Sequence, residues 1–214
     1  MFVLMGTFVT RLNAKSVQPS RDTFNSLADI ICTCPRLAKE AKFVLIPGPE
    51  DAGDNAALPR RGISAKLTEE LRRRVKHITF GSNPCRIKYY TQEIVLFRED
   101  LCRKMQRHAA LTSVNHPNEG EEKEEVSGQI VEAIIDQAHL VPLPLHARPV
   151  HWSLDHTLRL TPLPHLIILA DASMDKFECE REECIVANPG SFASNSSFIV
   201  YRPATKDIEF SKLN

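Results

Sequence analysis

Polar residues follow four apolar segments of the chain, each at a point where a buried strand is expected to run into a loop. In chain order these junctions are Gly6-Thr7, Gly48–Asp51, Asp171 and Asn188–Phe192. In open α/β sheets, the loops at the carboxyl ends of the strands are the places where ligands bind. The four strand ends could therefore line one cleft, although a Gly or Pro after a strand often serves only to make the turn.

The cysteines and histidines do not have the spacing of a metal site. No C-x2-C pair occurs among the six cysteines, Cys32, Cys34, Cys85, Cys102, Cys179 and Cys184. An intracellular protein would keep these thiols reduced, but Cys179 and Cys184 are close enough to pair across a hairpin. The five-residue steps between His146, His151 and His156 do not align on one helix face, so we expect no metal there.

The charge balance limits the class of partner. Lys and Arg total 27, as do Asp and Glu, so the formal net charge is zero. A strongly basic surface dedicated to nucleic acid is therefore not expected, although a local basic patch is still allowed. No apolar stretch approaches the ~18–20 residues of a membrane span. Met1–Met5 is apolar but has no basic flank and no small-residue cleavage site, so we do not expect a signal peptide.

Two other kinds of sequence pattern, basic clusters and a proline-rich stretch, are of the type that partners could recognise. Basic residues cluster at Arg60-Arg61, at Arg72–Lys76 and at Arg103–Arg107. We interpret these clusters as the solvated faces of amphipathic helices, because aromatic residues are not interleaved with them as in nucleic-acid sites. Prolines in Leu140–Val150 remove backbone donors and place this stretch at an edge or in a loop. Its leucines could form a partner surface or a buried loop.

The apolar patterns alternate between strand and helix and predict an α/β fold with a mixed sheet. A mobile acidic loop is expected at about residues 112–126. The predicted helices are Asp22–Cys32, Thr68–Val75, Glu99–Arg107 and Gln129–Gln137. The predicted strands are Phe2–Phe8, Phe43–Ile46, His77–Phe80, Arg86–Tyr90, Glu93–Phe97, Thr157–Leu160, Leu166–Ala170, Cys184–Ala187, Ser197–Arg202 and Ile208–Leu213.

Several stretches together resemble a known family. They are Ala28–Cys32, Phe43–Asp51, Asn83–Ile87, Thr91–Ile94, Phe97–Leu101, His139–Leu145 and Asn188–Phe192. On these stretches the chain resembles the calcineurin-like metallophosphoesterases and, within them, the B-subunit family of replicative DNA polymerases, most of all its epsilon branch. The resemblance covers nearly the whole chain and implies a metallophosphoesterase-like α/β sandwich.

The same resemblance implies that the metal site of the superfamily has been lost. Active members hold two metal ions with Asp, His and Asn ligands on strand-end loops, where the metals activate water. Thr7 stands where the superfamily has a bridging Asp, and Pro49 and Glu50 replace an Asn-His pair. The carboxylates that remain at such positions, Asp51 and Asp171, are isolated, and His139 could be a surviving ligand. We expect no catalytic residue, no bound metal and no cofactor.

Ordinary structural roles account for most of these positions. Glu50 and Asp51 are expected to cap a loop, because carboxylates after a strand commonly accept backbone N–H groups. His139 is expected to be a partly buried histidine with satisfied nitrogens.

The implied function is that of a non-catalytic accessory subunit in nuclear DNA replication. Such a subunit scaffolds the catalytic subunit of DNA polymerase epsilon through the carboxyl-terminal zinc-containing region of that partner. It also meets other replisome proteins and contacts DNA mainly through the complex, with no role for a membrane. Two alternatives are an active metal-dependent phosphoesterase and the accessory subunit of the same family in a sister polymerase, delta or alpha.

The apolar start of the chain has a further implication. Met1–Phe8 resembles an interior strand of a larger fold, so residues 1–214 are expected to form a single incomplete phosphoesterase domain that lacks its first strand or strands. The oligonucleotide-binding-type domain that precedes this domain in the family is expected to be absent. An unpaired sheet edge would then make the isolated chain prone to aggregation.

Overall fold

The computed structural model describes residues 1–9, 17–53, 56–109 and 119–213. The helices are α1 (Val17–Cys32), α2 (Pro35–Glu40), α3 (Glu69–Arg74), α4 (Cys102–His108), α5 (Glu119–Asp136) and α6 (Phe192–Asn195), with a 3₁₀ helix at Trp152–Leu158. The strands are β1 (Phe2–Met5), β2 (Lys42–Ile46), β3 (His77–Phe80), β4 (Cys85–Tyr89), β5 (Gln92–Arg98), β6 (Leu166–Ala170), β7 (Phe177–Arg181), β8 (Cys184–Asn188), β9 (Ser197–Arg202) and β10 (Asp207–Lys212). The chain divides into two compact units, Met1–Cys85 and Arg86–Asn214.

The first unit is built on a parallel sheet in the order β1-β2-β3. Strand β2 is buried along its apolar run, as expected for the central strand of a parallel sheet. Helix α1 buries Phe24, Ala28 and Ile31, which recur at helical spacing and form one apolar face. This face and Leu71 of α3 belong to one hydrophobic core with Leu45 of β2. The core holds the carboxyl ends of β1 and β2 side by side.

The second unit is built on a five-stranded sheet in the order β4-β5-β6-β8-β7. Strands β5, β6 and β8 run parallel, and β7 returns antiparallel to β8. Strand β6 is buried at every position, consistent with its continuous apolar sequence. Strands β9 and β10 form a separate antiparallel hairpin. The parallel register brings the carboxyl ends of β5, β6 and β8 to one edge of the sheet.

The α/β prediction is confirmed, with sheets that are parallel in one unit and mixed in the other. The acidic-loop prediction is wrong over residues 119–126, because α5 begins at Glu119 rather than near Gln129. Residues 112–118 of that predicted loop lie outside the described residues. The polarity of the segment favoured a loop, but Glu and Lys are good helix formers, and their propensity decided the conformation.

Three other local predictions differ from the structure. Residues 157–158, predicted as strand, end the 3₁₀ helix, and an isolated bridge between Arg159 and His139 follows. Strand β7 is absent from the predicted elements, since its alternation of Glu with Phe and Cys is short and polar. Helix α1 begins at Val17 rather than Asp22, with Pro19 in its first turn, where a missing N–H costs little.

All six cysteines are free thiols. The possible Cys179–Cys184 bridge does not form, because the β7–β8 register pairs Cys179 with Val186 and Cys184 with Arg181. The two thiols are therefore not opposite one another across the hairpin. Among the described residues, no helix has the length and apolar character needed to cross a membrane.

Candidate functional site

Asp51 is the most enclosed of the predicted site residues in the first unit. It lies in the loop after β2 with a relative exposure of 2%. Its Oδ1 accepts the backbone N–H groups of Phe8 and Val9, at 2.5 and 3.0 Å. Its Oδ2 accepts the backbone N–H of Gly48 at 2.8 Å. The carboxylate therefore ties the loop after β1 to the loop after β2, as expected of a loop cap.

Two glycines permit this close approach of the strand ends. A Cβ at Gly6 would lie 2.1 Å from Oδ2 of Asp51, and one at Gly48 would lie 2.3 Å from the carbonyl oxygen of Gly6. Neither space can hold a methyl group, and the second contact is with backbone that cannot rotate away. The glycines after these two strands are thus needed for packing as well as for the turns.

The other predicted positions of the first unit do not add ligands to Asp51. Thr7 is exposed, and Pro49 and Glu50 are half-buried. Pro49 has no donor or acceptor in its side chain, and a threonine hydroxyl is a poor substitute for a carboxylate that bridges metals. At this strand end, the oxygens of Asp51 are therefore already occupied by backbone donors, and the half-buried Glu50 is the other carboxylate among the predicted positions.

Asp171 occupies the equivalent place in the second unit, directly after β6. It is 1% exposed. Its Oδ2 accepts the backbone N–H groups of Leu101 and Cys102, both at 2.8 Å, at the start of α4. Its Oδ1 accepts the N–H and the hydroxyl of Ser173, at 2.7 and 2.5 Å. The Leu101 side chain cannot cap α4, so an aspartate from a distant strand supplies the acceptors that the first turn requires.

Asn188, at the end of β8, fixes the loop that carries Asp171. Its Oδ1 accepts the backbone N–H of Asp171 at 3.2 Å, and its Nδ2 donates to the Asp171 carbonyl at 3.0 Å. The same Nδ2 lies 3.0 Å from the carbonyl oxygen of Asp175. The ends of β6 and β8 are therefore joined by a buried side chain with both its donor and its acceptor in use.

A charged cluster lies at the end of β5. Glu99 is 2% exposed and faces Nε of Arg148 at 3.1 Å and Nζ of Lys104 at 3.6 Å. Arg98 donates to Asp100 at 2.7 Å and to the carbonyl oxygen of Ala170 at 3.1 Å. Buried charges are tolerated only when they are paired, and each charge in this cluster has an opposite partner.

The cluster changes the ionisation of two groups beside it. Burial opposes ionisation of Asp100, but Arg98, the Ala172 N–H and Lys104 outweigh it and hold the Asp100 pKa below its ordinary value. Burial, reinforced by the negative charge of Asp171, raises the pKa of the Cys102 thiol. A thiol with a raised pKa is a weak nucleophile and a poor metal ligand at neutral pH. Cys102 therefore behaves as a core residue.

His139 has both ring nitrogens in use. The backbone N–H of Val141 donates to Nδ1 at 3.0 Å, which leaves the ring hydrogen on Nε2. Nε2 faces Oδ1 of Asp155 at 3.2 Å. Burial opposes ionisation of Asp155, but hydrogen bonds from Arg159 and His139 lower its pKa overall. His139 is thus the partly buried, satisfied histidine that the sequence predicts, and it orients the start of the proline-rich stretch.

These contacts decide what each unit can do chemically. Asp51 in one unit, and Asp171 and His139 in the other, are each bound to protein donors or acceptors. Within the described residues of either unit, no three His, Cys, Asp or Glu side chains are grouped so that they could hold a metal. The observed arrangement supports the architecture of the loops, and among those residues it offers no set of free ligands for hydrolytic chemistry.

Two buried asparagines hold strand-end loops in addition to the predicted site residues. Asn188 is one, and the other is Asn83, whose Nδ2 donates to the Pro47 carbonyl at 2.9 Å. Both are fully buried and both precede a proline in the stretches that carry the family resemblance. The two Asn-Pro pairs are visible in the sequence and could have identified these residues. Nothing in the sequence places Arg148 beside Glu99, because the pairing depends on how the chain returns to β5.

Two of the three basic residues of α3 are paired with acids, as expected for a solvated helix face. Arg73 pairs with Glu70 at 2.6 Å, and Arg74 pairs with Asp29 at 2.5 Å. Arg72 lies over the Phe80 ring at 4.0 Å. Arg60 departs from this interpretation, because it is buried and its backbone bridges to Asn83. It serves the fold of the first unit rather than a surface patch.

Comparison with known proteins gives one family and a consistent set of relatives. The family model that describes the B subunit of DNA polymerases alpha and epsilon matches residues 1–179. The chain is 43% identical to the B subunit of DNA polymerase epsilon from Arabidopsis thaliana over 216 residues, covering 100% of this chain and 40% of that protein. It is 43% identical to DNA polymerase epsilon subunit 2 of Mus musculus, covering 99% of this chain and 39% of that protein.

More distant comparisons extend the set. The B subunit of DNA polymerase epsilon from Saccharomyces cerevisiae is 30% identical over 91% of this chain and 33% of that protein. Among solved structures, the crystal structure of TT1561 of Thermus thermophilus aligns with a TM-score of 0.45 at 13% identity, covering 99% of this chain and 85% of that chain. A structural similarity of this size carries no information about function.

Proposed function

The chain belongs to the family of B subunits of DNA polymerases alpha and epsilon, and on this premise we propose that it acts as a non-catalytic accessory subunit of DNA polymerase epsilon. The observation that carries the proposal is identity of 43% along the whole chain to relatives named as the second, or B, subunit of that polymerase. The chain spans about two fifths of the length of these relatives, 40% of one and 39% of the other.

We propose that the chain binds the carboxyl-terminal zinc-containing region of the catalytic subunit and so acts as its scaffold. The zinc in this assembly belongs to the partner. From the same family role we also expect the chain to contact other replisome proteins and to act in the nucleus. We expect it to contact DNA mainly through the complex.

We propose residues 145–154 of the second unit as part of the surface that meets the catalytic subunit. Within them Leu145, Trp152 and Leu154 are 54%, 74% and 39% exposed. Exposed apolar side chains of this size are typical of partner surfaces, and tryptophan is over-represented among the residues that dominate binding energy. Because Trp152 is mostly exposed, removing its ring should alter binding without altering the fold.

The polymerase assignment is tested by co-purification. The chain is co-expressed with the carboxyl-terminal region of the catalytic subunit of polymerase epsilon, and in parallel with the corresponding regions of delta and alpha. We expect recovery of the epsilon subunit, and weaker recovery with Trp152→Ala but not with Tyr90→Ala. Tyr90 is a matched control, since it is 83% exposed at a different turn. Recovery of the delta or alpha subunit instead of epsilon would overturn the assignment.

The non-catalytic part of the proposal rests on the contacts of Asp51 and Asp171. A metal bound at either carboxylate would have to compete with buried backbone donors that these oxygens already accept. The test is elemental analysis of the purified chain, together with turnover of a chromogenic phosphodiester in the presence of Mn²⁺. Stoichiometric metal with turnover that Asp51→Asn abolishes would favour an active phosphoesterase and contradict this part of the proposal.

A further inference from the structure

Strand β7 forms an edge of the five-stranded sheet. It pairs with β8 on one side, and among the described residues no strand pairs with it on the other. Its register with β8 is regular over all five residues, Phe177–Arg181, without a bulge or a proline. Edge strands are usually protected from added strands by such interruptions or by charge. Neither interruption is present here. Helix α5 packs beside β7 and holds Arg181 through Glu132 and Asp136, whereas Glu178 and Glu180 are exposed, so charge is the protection at their positions.

The turn that ends β7 determines which backbone groups face outward. Glu182 and Glu183 have φ angles of 50° and 63°, which is the left-handed pair of a two-residue type I′ turn. In such a hairpin the closing pair, here Arg181 and Cys184, exchanges hydrogen bonds. The alternation of an antiparallel ladder then directs the N–H and C=O groups of Glu178 and Glu180 away from β8. These groups are the donors and acceptors that an added strand would use.

Space is available beside this edge. A cavity of about 350 Å³ is lined by Ser127 and Gly128 of α5 and by residues 176–179 at the start of β7. A Cβ at Gly128 would meet no atom within 4 Å. The volume is sufficient for one or two side chains of an extended segment lying along β7.

The charge of the edge selects the occupant. Glu178, Glu180, Glu182 and Glu183 are exposed. Arg181, the one cation of the strand, is paired with Glu132 at 3.2 Å and Asp136 at 2.9 Å. A second copy of the chain would bring like charges directly opposite one another, which destabilises strand pairs. A segment with Lys or Arg at alternate positions would instead place cations opposite Glu178 and Glu180.

We propose that the outer edge of β7 binds an extended, basic segment of a partner protein as an added strand. The backbone of Glu178 and Glu180 supplies the hydrogen bonds, their carboxylates select basic residues, and the cavity beside Gly128 takes an intervening side chain. This role holds whether or not the chain serves a polymerase, because it rests on the edge alone.

The probe is a short fluorescent peptide that alternates lysine and valine, titrated with the full chain while anisotropy is measured. We expect saturable binding that weakens as salt is raised, and no binding of the matched peptide that alternates glutamate and valine. Equal binding of the two peptides, or none of the lysine peptide at low salt, overturns the proposal.

Variants separate the charge from the backbone. Glu178→Lys with Glu180→Lys should weaken binding about tenfold, because two favourable cross-strand pairs become unfavourable. Glu209→Lys on β10 is the control, since it reverses an exposed charge on a different hairpin and should leave binding unchanged. Glu180→Pro removes an outward N–H without touching the β8 ladder and should also weaken binding.

Circular dichroism establishes that each variant is folded. If the proline variant does not fold, the proposal is still tested by the amide chemical shifts of the wild-type chain. Shifts of Glu178 and Glu180 on addition of the lysine peptide would support the added strand. Binding with shifts confined to other residues would overturn it, as would full binding by the doubly charge-reversed variant.

Discussion

At the scale of single residues, the carboxylates at the strand ends act as acceptors for backbone N–H groups. Asp51 satisfies Phe8, Val9 and Gly48, and Asp171 satisfies the start of α4. A carboxylate has two acceptor oxygens and can therefore accept several buried N–H groups at once. In this structure the two carboxylates hold the loops in place by hydrogen bonding.

Removing the Asp51 carboxylate should therefore cost stability. Asp51→Ala leaves buried N–H groups without an acceptor, and we expect it to lower the free energy of unfolding by about 3 kcal/mol. Asp51→Asn keeps one oxygen and should lose less. Urea denaturation measures both variants. Glu40→Ala is the control, because Glu40 is exposed and paired with Arg36 at 3.1 Å, a contact worth about 0.5 kcal/mol or less.

An Asp51→Ala variant as stable as Glu40→Ala would show that the loops do not depend on this carboxylate. If Asp51→Ala does not accumulate as folded protein, the Asp51→Asn variant still provides the comparison. In that case we expect the free energy of unfolding of Asp51→Asn to be lower than that of the wild type but still positive.

At the scale of elements, the ends of β1 and β2 approach so closely that glycine is required. A Cβ at Gly48 would lie 2.3 Å from a backbone oxygen of Gly6. Gly128 in α5 is the opposite case, since a Cβ there meets nothing within 4 Å. Close packing therefore requires glycine at position 48, whereas packing places no such requirement on position 128.

Alanine at these two glycines should shift stability in opposite directions. Gly48→Ala should destabilise the chain by about 1–3 kcal/mol, because the two strand ends must separate to admit the methyl group. Gly128→Ala should stabilise it by about 0.5–1 kcal/mol, because alanine has the higher helix propensity. Thermal and urea unfolding of the two variants measure these changes. A Gly48→Ala variant as stable as the wild type would show that the two strand ends can accommodate the methyl group.

At the scale of the whole molecule, the fold sorts six chemically identical thiols into different environments. Cys34 is exposed, whereas Cys102 and Cys184 are fully buried. Burial raises the pKa of Cys184 to about 12 and also raises that of Cys102, which lies beside Asp171. The thiolate is the reactive form, so burial and the raised pKa together suppress the chemistry of the two core cysteines.

Pulsed alkylation with mass spectrometry should reveal this order. At neutral pH in buffer, we expect Cys34 to be labelled first and Cys102 and Cys184 to remain unlabelled. In denaturing urea all six should react at similar rates, which serves as the internal control. Labelling of Cys102 in buffer as fast as Cys34 would contradict the packing of α4 against the end of β6.

The sequence by itself determined the α/β class, most strands, the family and the identity of the strand-end residues, because these follow from local apolar periodicity and from contiguous motifs. It placed α5 too late, because polarity and helix propensity pointed in different directions there, and it missed β7, which is short and polar. Tertiary structure alone decided what the strand-end residues do. Asp171 caps a helix that begins 69 residues earlier in the chain, and Glu99 meets Arg148 across 49 residues. Such partners are chosen by how strands align in a sheet, which no local pattern of residues encodes.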